Sequence, residues 1–253
     1  MDSRLIEPGG QVRLIVDGPA LGCRNMAVDE VLLETAAAGI PTLRFYQWQE
    51  PTLSLGYFQS LEDRELHPAS RHCPVVRRSS GGGAIVHDHE LTYSFSCPVL
   101  GIDTQQFYRE MHHALRFALA QFQISAELWQ ADQESIQGTP FLCFQRRSPG
   151  DMVVQNLKIA GSAQRRKRGA LLQHGSVLLG TSRHAPELSS ISAELGIELQ
   201  FEELVGQWCQ VITEQWGITF QESKLGASEI ERVEELESEK FANIDWTRRQ
   251  IRS

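Results

Sequence analysis

"RRSSGGGAIVHDHELTYS", residues 77–94, places three consecutive glycines between a pair of arginines and a His-Asp-His sequence. The residues on either side of the glycines have β-forming composition, so we predict short strands there. A nucleotide P-loop needs a lysine after its glycines and a helix beyond them, and neither follows here. Because glycine has no Cβ atom, the backbone of Gly81–Gly83 can approach a ligand closely and offer it N–H groups. A hairpin turn with positive φ angles is the simpler alternative, whereas Arg77 and Arg78 would suit an anionic ligand.

The composition limits the class of protein. The chain has 253 residues, of which 41% are hydrophobic, and this suffices for a substantial core. Strand and helix patterns are interspersed along the whole length without a repeat or a Pro/Ser-rich linker, so we predict one α+β domain. No apolar run approaches a membrane span, and residues 1–10 lack the apolar core of a signal peptide, so we expect a soluble, cytoplasmic protein. The net charge of −8 argues against general nucleic-acid binding.

Periodicity and capping residues predict the secondary structure. Apolar residues at spacings of three and four between Asp103 and Phe122 predict an amphipathic helix. Asn25 can cap an earlier helix that ends near Gly39, and "SEIE" at residues 228–231 has the form of a capping box, with Ser228 facing Glu231. Two more helices are expected at Ala185–Glu194 and Glu202–Trp216. Strands are expected at Gln11–Val16, on both sides of Pro51 within Thr42–Gln59, and at Val75–Arg77, Ala84–His87, Leu91–Ser96, Met152–Val154, Lys158–Ala163 and Ser176–Leu179.

The five cysteines are an odd number without CxxC spacing, which argues against a disulfide framework or a zinc site. One of them, Cys143, precedes Lys158 by fifteen positions, and Lys158 leads into a predicted turn of small residues at Gly161–Ala163. If the fold brings the two side chains together, the ammonium favours thiolate over thiol and prepares a nucleophile at neutral pH. Taken alone, each has a simpler interpretation: a buried thiol for Cys143 and a solvated strand residue for Lys158.

Two blocks of sequence carry a resemblance to a known family. "RRSSGGGAIVHDHELTYS" and "KIAGSAQRRKRGALLQHGSVLL" resemble the signature blocks of the biotin/lipoate protein ligase superfamily, which includes lipoate–protein ligases and octanoyltransferases. Within it, "HDHELTYS" and a Cys-Phe pair fifteen residues before the lysine are similar to the cysteine-dependent, Bacillus-type octanoyltransferases. The resemblance implies a class II biotin/lipoate ligase-like fold, with mixed β-sheets flanked by helices, for residues 1–253. Residues 221–253 would be a C-terminal helix and tail.

The resemblance also implies a mechanism. Cys143 and Lys158 would be catalytic: Cys143 would take an octanoyl group from octanoyl–acyl carrier protein and pass it to a lysine of a lipoyl domain, such as that of glycine cleavage H protein. This transferase needs no cofactor or metal, whereas the alternative, an ATP-dependent lipoate–protein ligase, would need Mg-ATP. Backbone N–H groups of the two glycine-containing segments would stabilise oxyanions. The substrate-binding residues would be Arg77, Ser80, Gly81, Gly82, Gly83, His87, Gly161, Ser162 and Ala163.

Other polar clusters have simpler interpretations. His87 and His89 form an HxH pair, but further metal ligands are not evident, so we expect a pocket residue and a surface residue instead of a metal site. His112 on the predicted long helix is expected to be structural or solvated. "HGS" at residues 174–176 has no evident activating aspartate and is expected to belong to the strand frame. A DNA-binding regulator of the biotin-repressor kind would need a winged-helix segment, which the sequence lacks.

A basic run lies between the predicted strands. Residues 165–168, "RRKR", precede Gly169 and resemble a charged turn, and Arg146 and Arg147 lie nearby in the sequence. Acyl carrier proteins and lipoyl domains are typically acidic, so one hypothesis is that these residues form a shared docking surface for donor and acceptor. The alternative is a solvated turn.

Overall fold

The computed structural model of the chain describes residues 6, 9–99, 103–130 and 140–249. Eleven strands are found among the described residues. They are β1 (Gln11–Val16), β2 (Thr42–Tyr46), β3 (Thr52–Leu55), β4 (Val75–Arg77), β5 (Ile85–His87), β6 (Glu90–Pro98), β7 (Glu127–Leu128), β8 (Met152–Val154), β9 (Leu157–Lys167), β10 (Ala170–Leu178) and β11 (Thr219–Glu222). Eight of them form one mixed sheet in the order β11-β1-β2-β6-β10-β9-β8-β7, and β4-β3-β5 form a small second sheet.

Helices cover both faces of the large sheet. They are α1 (Gly22–Ala37), α2 (Thr104–Ala120), α3 (Ile191–Leu195), α4 (Phe201–Trp216), α5 (Ala227–Leu236) and α6 (Ile244–Arg248). Among the described helices, none is long and apolar enough to cross a membrane. Mixed sheets flanked by helices were the fold predicted from the sequence, and this prediction is confirmed.

Two apolar clusters explain the layers. On one face of the large sheet, α2 and α4 pack together, and Trp208 of α4 lies 5.5 Å from the ring of Phe45 and 4.9 Å from that of Tyr93. On the other face, α1 packs over β6 and β10 and is covered by α5. The predicted helix α2 is confirmed, and the side chain of Asp103 caps it by accepting the N–H of Gln105 at 2.9 Å.

Two capping predictions are wrong. Helix α1 begins at Gly22, so Asn25 lies inside it, where its buried amide donates to the carbonyls of Ala20 and Gln47. Helix α5 is capped by Gly226, whose N–H donates to the Glu229 carboxylate at 2.8 Å. The capping pair therefore starts two residues before the "SEIE" motif, because Ser228 is already helical.

Several strand predictions also need correction. The predicted strand Lys158–Ala163 lies within β9, but the turn also expected at Gly161–Ala163 does not form, because this segment pairs with β10 and Gly161 faces Ser176. Only Arg168 of the basic run forms a turn, with Gly169, at φ angles of 49° and 80°. The two strands predicted on either side of Pro51 are found as β2 and β3, and they belong to different sheets. Of the helix predicted at Ala185–Glu194, only the part that overlaps α3 is helical.

The side chain of Arg77 binds the C-terminal segment to the start of the glycine loop, which is the loop that contains Gly81–Gly83. The buried Arg77 guanidinium donates from Nη1 to the carbonyls of Gly56, Tyr57 and Gln59, and from Nη2 to the carbonyl of Thr247 at 2.6 Å. Arg77 also accepts a hydrogen bond from Trp246 Nε1 at its own carbonyl, at 2.9 Å. Arg77 therefore connects three segments of the chain, namely β4, residues 56–59 and helix α6.

We predict that Arg77→Lys lowers the free energy of unfolding by about 2–4 kcal/mol, because a lysine cannot reach all these buried carbonyls and leaves some unpaired. Urea unfolding followed by circular dichroism measures the change. Arg71→Lys, at an exposed position on the preceding loop, is the matched control and should be nearly neutral. An equally small effect at both positions would contradict this role.

Candidate active site

A partly enclosed cavity lies between the small sheet and the centre of the large one. The glycine loop, β5, β6, β9, β10 and the segment at Cys143 all contribute to its walls. The lining residues are Met26, Tyr46, Ser54, Arg78, Gly82, Ile85, His87, Thr92, Cys143, Phe144, Lys158, Gly161, Ser162, Ala163, His174, Gly175 and Ser176. The cavity therefore brings together the two quoted sequence blocks, of which one contains Gly81–Gly83 and the other contains Lys158.

Cys143 begins a short helical turn, Cys143–Gln145, that is joined to the glycine loop. Its N–H donates to the carbonyl of Ala84 at 2.7 Å, and the N–H of Ala84 donates to the carbonyl of Phe141 at 3.1 Å. A Cβ atom on Gly83 would lie 3.3 Å from both N and Cα of Cys143. The absence of a side chain at Gly83 thus lets the loop pack directly against the cysteine backbone.

Arg78 fixes the conformation of the glycine loop through hydrogen bonds to its carbonyls. Its fully buried guanidinium donates to the carbonyls of Gly81 at 2.8 Å and Gly83 at 2.7 Å, and also to the carbonyl of Ser54. Burial lowers the pKa of Arg78 to about 10, although the nearby Cys143 acts in the opposite direction. At neutral pH the guanidinium remains a cation beside the cavity.

Lys158, in β9, is buried beside the cysteine and held by an acid. Its Nζ lies 2.7 Å from Oδ2 of Asp151, 3.5 Å from the carbonyl oxygen of Cys143 and 3.4 Å from that of Arg146. A Cβ atom on Gly161 would come within 2.6 Å of Cε of Lys158. Gly161 is therefore needed to leave room for the lysine side chain.

These cations change the acidity of the thiol. Burial raises the pKa of Cys143, but the charges of Lys158, Arg78 and Arg146 lower it by more, so the pKa of Cys143 lies below its ordinary value. Desolvation, by contrast, raises the pKa of each of the other four cysteines. The pKa of Cys23 and of Cys73 is raised, and the pKa of Cys97 and of Cys209 rises to about 12. Cys143 is thus the cysteine whose surroundings favour the thiolate.

A polar network behind the cavity fixes the acid and the strand. Tyr108 of α2 donates to Oδ1 of Asp151 at 2.7 Å and accepts the N–H of Ser162 at 3.2 Å. His112 Nε2 and Tyr93 Oη lie 2.7 and 2.8 Å from Oγ of Ser162. Because its N–H is bound to Tyr108, Ser162 does not present a free amide for an oxyanion.

A second network crosses the cavity wall at His174. Its Nδ1 lies 3.0 Å from Oδ2 of Asp29, and its Nε2 lies 2.5 Å from Oγ of Ser80. Asp29 also accepts from Arg44 Nη1 and from the Tyr46 hydroxyl, each at 3.0 Å. Burial raises the pKa of Asp29, but the hydrogen bond to His174 and the Arg44 charge outweigh it and leave the pKa below its ordinary value.

The structure brings together most of the residues suggested by the sequence, and separates a few. Cys143, Lys158, Gly82, His87 and the segment Gly161–Ala163 line one cavity. The remaining glycines, Gly81 and Gly83, bind Arg78 through their carbonyls, and Ser80 is buried behind His174. Arg77 does not line the cavity, because its guanidinium is occupied by backbone carbonyls.

Sequence reasoning missed Asp151, Asp29 and the position of His112. Asp29 lies 145 positions from its partner His174 and no spacing rule joins them. Asp151 could have been found only from the β8–β9 hairpin, where an acid at the start of one strand can reach a lysine on the other. His112 was expected to be structural or solvated, and it is buried with both ring nitrogens bonded, at Gly150 and Ser162.

The chain is similar in sequence to known proteins. The model of the lipoyl protein ligase A/B catalytic domain matches residues 22–192. Octanoyltransferase LipM of Clostridioides difficile is 32% identical, over 94% of this chain and 99% of that one. Octanoyltransferase LipM of Oceanobacillus iheyensis is 40% identical over 161 residues, which are 61% of this chain and 59% of its relative.

Solved structures show the same fold. Lipoate-protein ligase A bound with ATP superimposes with a TM-score of 0.78 at 22% identity, over 95% of this chain and 100% of that one. A bi-partite lipoate protein ligase from Thermoplasma acidophilum gives a TM-score of 0.78 at 20% identity, over 96% and 98% of the two chains. At these identities the likeness concerns the fold alone.

We predict that Lys158→Met raises the pKa of Cys143, because it removes the charge that lowers that pKa most. Alkylation by iodoacetamide at pH 7 should slow roughly tenfold for each unit by which the pKa rises, and should recover at higher pH. The pH dependence of the alkylation rate measures this, with Lys224→Met at an exposed position as control. Identical profiles for wild type and Lys158→Met would rule out activation by this lysine.

Gly161→Ala is predicted to act on the same thiol without removing a charge. The added methyl group occupies the place of Lys158 Cε, so the ammonium must move and the pKa of Cys143 should rise. Alkylation at pH 7 should slow several-fold, roughly as expected from a pKa rise of less than one unit. Gly206→Ala, where the same methyl group meets open space, is the control and should leave the rate unchanged.

Proposed function

Because the chain belongs to the lipoyl protein ligase A/B catalytic domain family, we propose that it is an octanoyltransferase that carries the acyl group as a thioester on Cys143. The donor is octanoyl–acyl carrier protein, and the acceptor is a lysine of a lipoyl domain, such as that of glycine cleavage H protein. Relatives named as octanoyltransferases support this activity. The observation that carries the mechanism is the lowered pKa of Cys143 in a cavity that it shares with Lys158.

The first half-reaction transfers the acyl group to the enzyme. The Cys143 thiolate attacks the carbonyl carbon of the donor thioester, the bond from that carbon to the donor sulfur breaks, and the donor leaves as a thiol or thiolate. Lys158 stabilises the attacking thiolate before the bond forms. The cavity has apolar wall residues, among them Met26, Ile85 and Phe144, that suit an alkyl chain.

The glycine loop is the proposed site for the developing oxyanion. Arg78 donates to the carbonyls of Gly81 and Gly83, so both carbonyls point toward its guanidinium. Within the described residues, the N–H groups of Gly82 and Gly83 donate no hydrogen bond, and Gly82 lines the cavity. These amides can therefore donate to an oxyanion close to Cys143.

The second half-reaction forms the amide. The ε-amine of the acceptor lysine attacks the thioester, and the sulfur of Cys143 leaves with the electron pair and a proton from the nitrogen. Loss of that proton to water restores the thiolate that Lys158 stabilises. No ATP is consumed, because the donor thioester already carries the activation that adenylation would otherwise supply. An ATP-dependent lipoate–protein ligase, which would need Mg-ATP and a free acid, is the competing function.

We also propose that the basic run, residues 165–168, takes part in the docking of acidic carrier and lipoyl domains. The side chains of this run have different surroundings. Arg165 donates to the carbonyl of Ser79 at 2.6 Å, and Lys167 binds the Glu30 carboxylate at 2.6 Å. These two residues support the loop and α1 from within. Arg168 at the hairpin turn is exposed, so it is the better candidate of the run for contact with a partner.

We predict that Cys143→Ser abolishes octanoyl transfer from octanoyl–acyl carrier protein to a lipoyl domain, measured without ATP. Intact-protein mass spectrometry should show an octanoyl adduct on the wild type and none on Cys143→Ser. Cys209→Ala is the control and should retain both the adduct and turnover, because burial raises the pKa of that thiol to about 12. Full turnover by Cys143→Ser, or modification only with free lipoate and Mg-ATP, would overturn the proposal.

A further inference from the structure

We infer that His87, oriented by Glu90, is the general base that removes a proton from the acceptor lysine in the second half-reaction; this rests on the proposed function. A lysine ammonium has an ordinary pKa of about 10.4 and is almost fully protonated at neutral pH. It cannot attack the thioester until a proton is removed. A group on the cavity wall with a free lone pair is therefore required, or the reaction waits for the rare free amine.

The hydrogen bonds around Glu90 fix the direction in which His87 donates. The indole Nε1 of Trp48 can only donate, and it gives its hydrogen to Thr92 Oγ1 at 2.8 Å, so the hydroxyl hydrogen of Thr92 is free to point to Glu90. Ser176 also donates to Oε1 of Glu90, at 2.7 Å. Glu90 Oε1 is thus an acceptor for each of its neighbours.

His87 Nδ1 lies 2.7 Å from the same Glu90 oxygen. Nδ1 therefore carries the hydrogen, and Nε2 presents its lone pair. Within the described residues, Nε2 makes no hydrogen bond, while the ring lines the cavity with Cys143. A carboxylate behind an imidazole whose other nitrogen faces the substrate is the arrangement that general-base catalysis requires.

The surroundings also suit the charged ring that forms when the proton arrives. The Trp48 indole stacks on the imidazole with ring centres 3.8 Å apart and an interplanar angle of 9°, so its π face lies against the positive charge. The other oxygen of Glu90, Oε2, is buried and has no partner among the described residues. Glu90 can therefore balance a positive charge on His87 without losing a competing ion pair.

The other titratable groups on the cavity wall lack a free lone pair. His174 uses both nitrogens, at Asp29 and Ser80. Lys158 is an ammonium paired with Asp151. Tyr46 donates its hydroxyl hydrogen to Asp29, and burial raises its pKa well above the ordinary value. Among the described residues of the wall, His87 is left as the proton acceptor.

The step balances as follows. The lysine ammonium gives one proton to Nε2 of His87 and becomes an amine, whose nitrogen bonds to the thioester carbonyl carbon. The bond from that carbon to Sγ of Cys143 breaks, and the departing sulfur takes the electron pair and the second nitrogen proton. The products are the amide, the Cys143 thiol and a protonated His87, which returns its proton to water.

The test separates the two half-reactions in the full-length protein. His87→Asn keeps a donor toward Glu90 and removes the base. Its acyl-enzyme is formed with octanoyl–acyl carrier protein, isolated by rapid desalting and mixed with a lipoyl domain. We expect acyl-enzyme formation within a few-fold of the wild-type rate and transfer to the lipoyl domain slowed by roughly 100-fold or more. Glu90→Gln should slow the same step to a smaller degree.

Two further measurements distinguish a base from a structural role. Hydroxylamine is already unprotonated at neutral pH, so it should deacylate the His87→Asn acyl-enzyme at the wild-type rate, and normal acylation shows that the variant is folded. His89→Asn is the matched control: it makes the same change two residues away, on a side chain that is 66% exposed, and should behave as wild type.

The inference fails if His87→Asn transfers to the lipoyl domain at the wild-type rate. It also fails if the variant loses acylation or hydroxylamine sensitivity together with transfer, because His87 would then shape the site in general. The proposed function fails separately, if the wild-type protein itself forms no octanoyl adduct on Cys143.

Discussion

The buried ion pair between Lys158 and Asp151 is the interaction on which the site depends. Both side chains are at most 3% exposed, so each charge is costly to bury and requires the other. Asp151 also accepts hydrogen bonds from the Tyr108 hydroxyl and the Ser148 N–H, each at 2.7 Å. These two hydrogen bonds fix the orientation of the carboxylate that pairs with the lysine. The ammonium is thereby held next to the Cys143 backbone, where its charge lowers the pKa of the thiol.

The glycines of the loop allow close packing against the rest of the chain. A Cβ atom on Gly56 would lie 2.0 Å from the carbonyl oxygen of Gly82, so the loop lies directly on the backbone of the small sheet. Gly83 lets the loop contact Cys143, and Gly82 has a φ of 94°, which L side chains rarely adopt. The loop can approach both the small sheet and the cysteine only because each of these contacts is backbone to backbone.

Local pattern predicted the elements better than it predicted their partners. Strands β1, β4 and β8 have the predicted bounds, because alternation and composition are properties of a few neighbouring residues. Gly161–Ala163 was placed at the end of a predicted strand and was also expected to turn because its residues are small, but Gly161 lacks a side chain because Lys158 occupies the space. Tertiary contact, which a local pattern does not contain, decided its conformation.

The same limit applies to the chemistry. Cys143 and Lys158 could be proposed from type and spacing, since a cation beside a thiol is a recognisable combination. Asp151 pairs with Lys158 across the β8–β9 hairpin, and Arg78 binds the carbonyls of Gly81 and Gly83 beside Cys143, but spacing in the sequence does not reveal either contact. His87 was expected in the pocket, but its proposed role as a base rests on the hydrogen bonds that run from Trp48 through Thr92 and Glu90 to the imidazole.

Direct titration of the Cys143 thiolate tests the central claim most closely. The ultraviolet absorbance of thiolate, recorded against pH as the difference between wild type and Cys143→Ser, isolates this residue from the other four cysteines. We predict a transition below the ordinary pKa of a cysteine, because the charges of Lys158, Arg78 and Arg146 outweigh burial. A transition at or above that ordinary value would contradict the account of the site as a thiolate held ready by a buried ion pair.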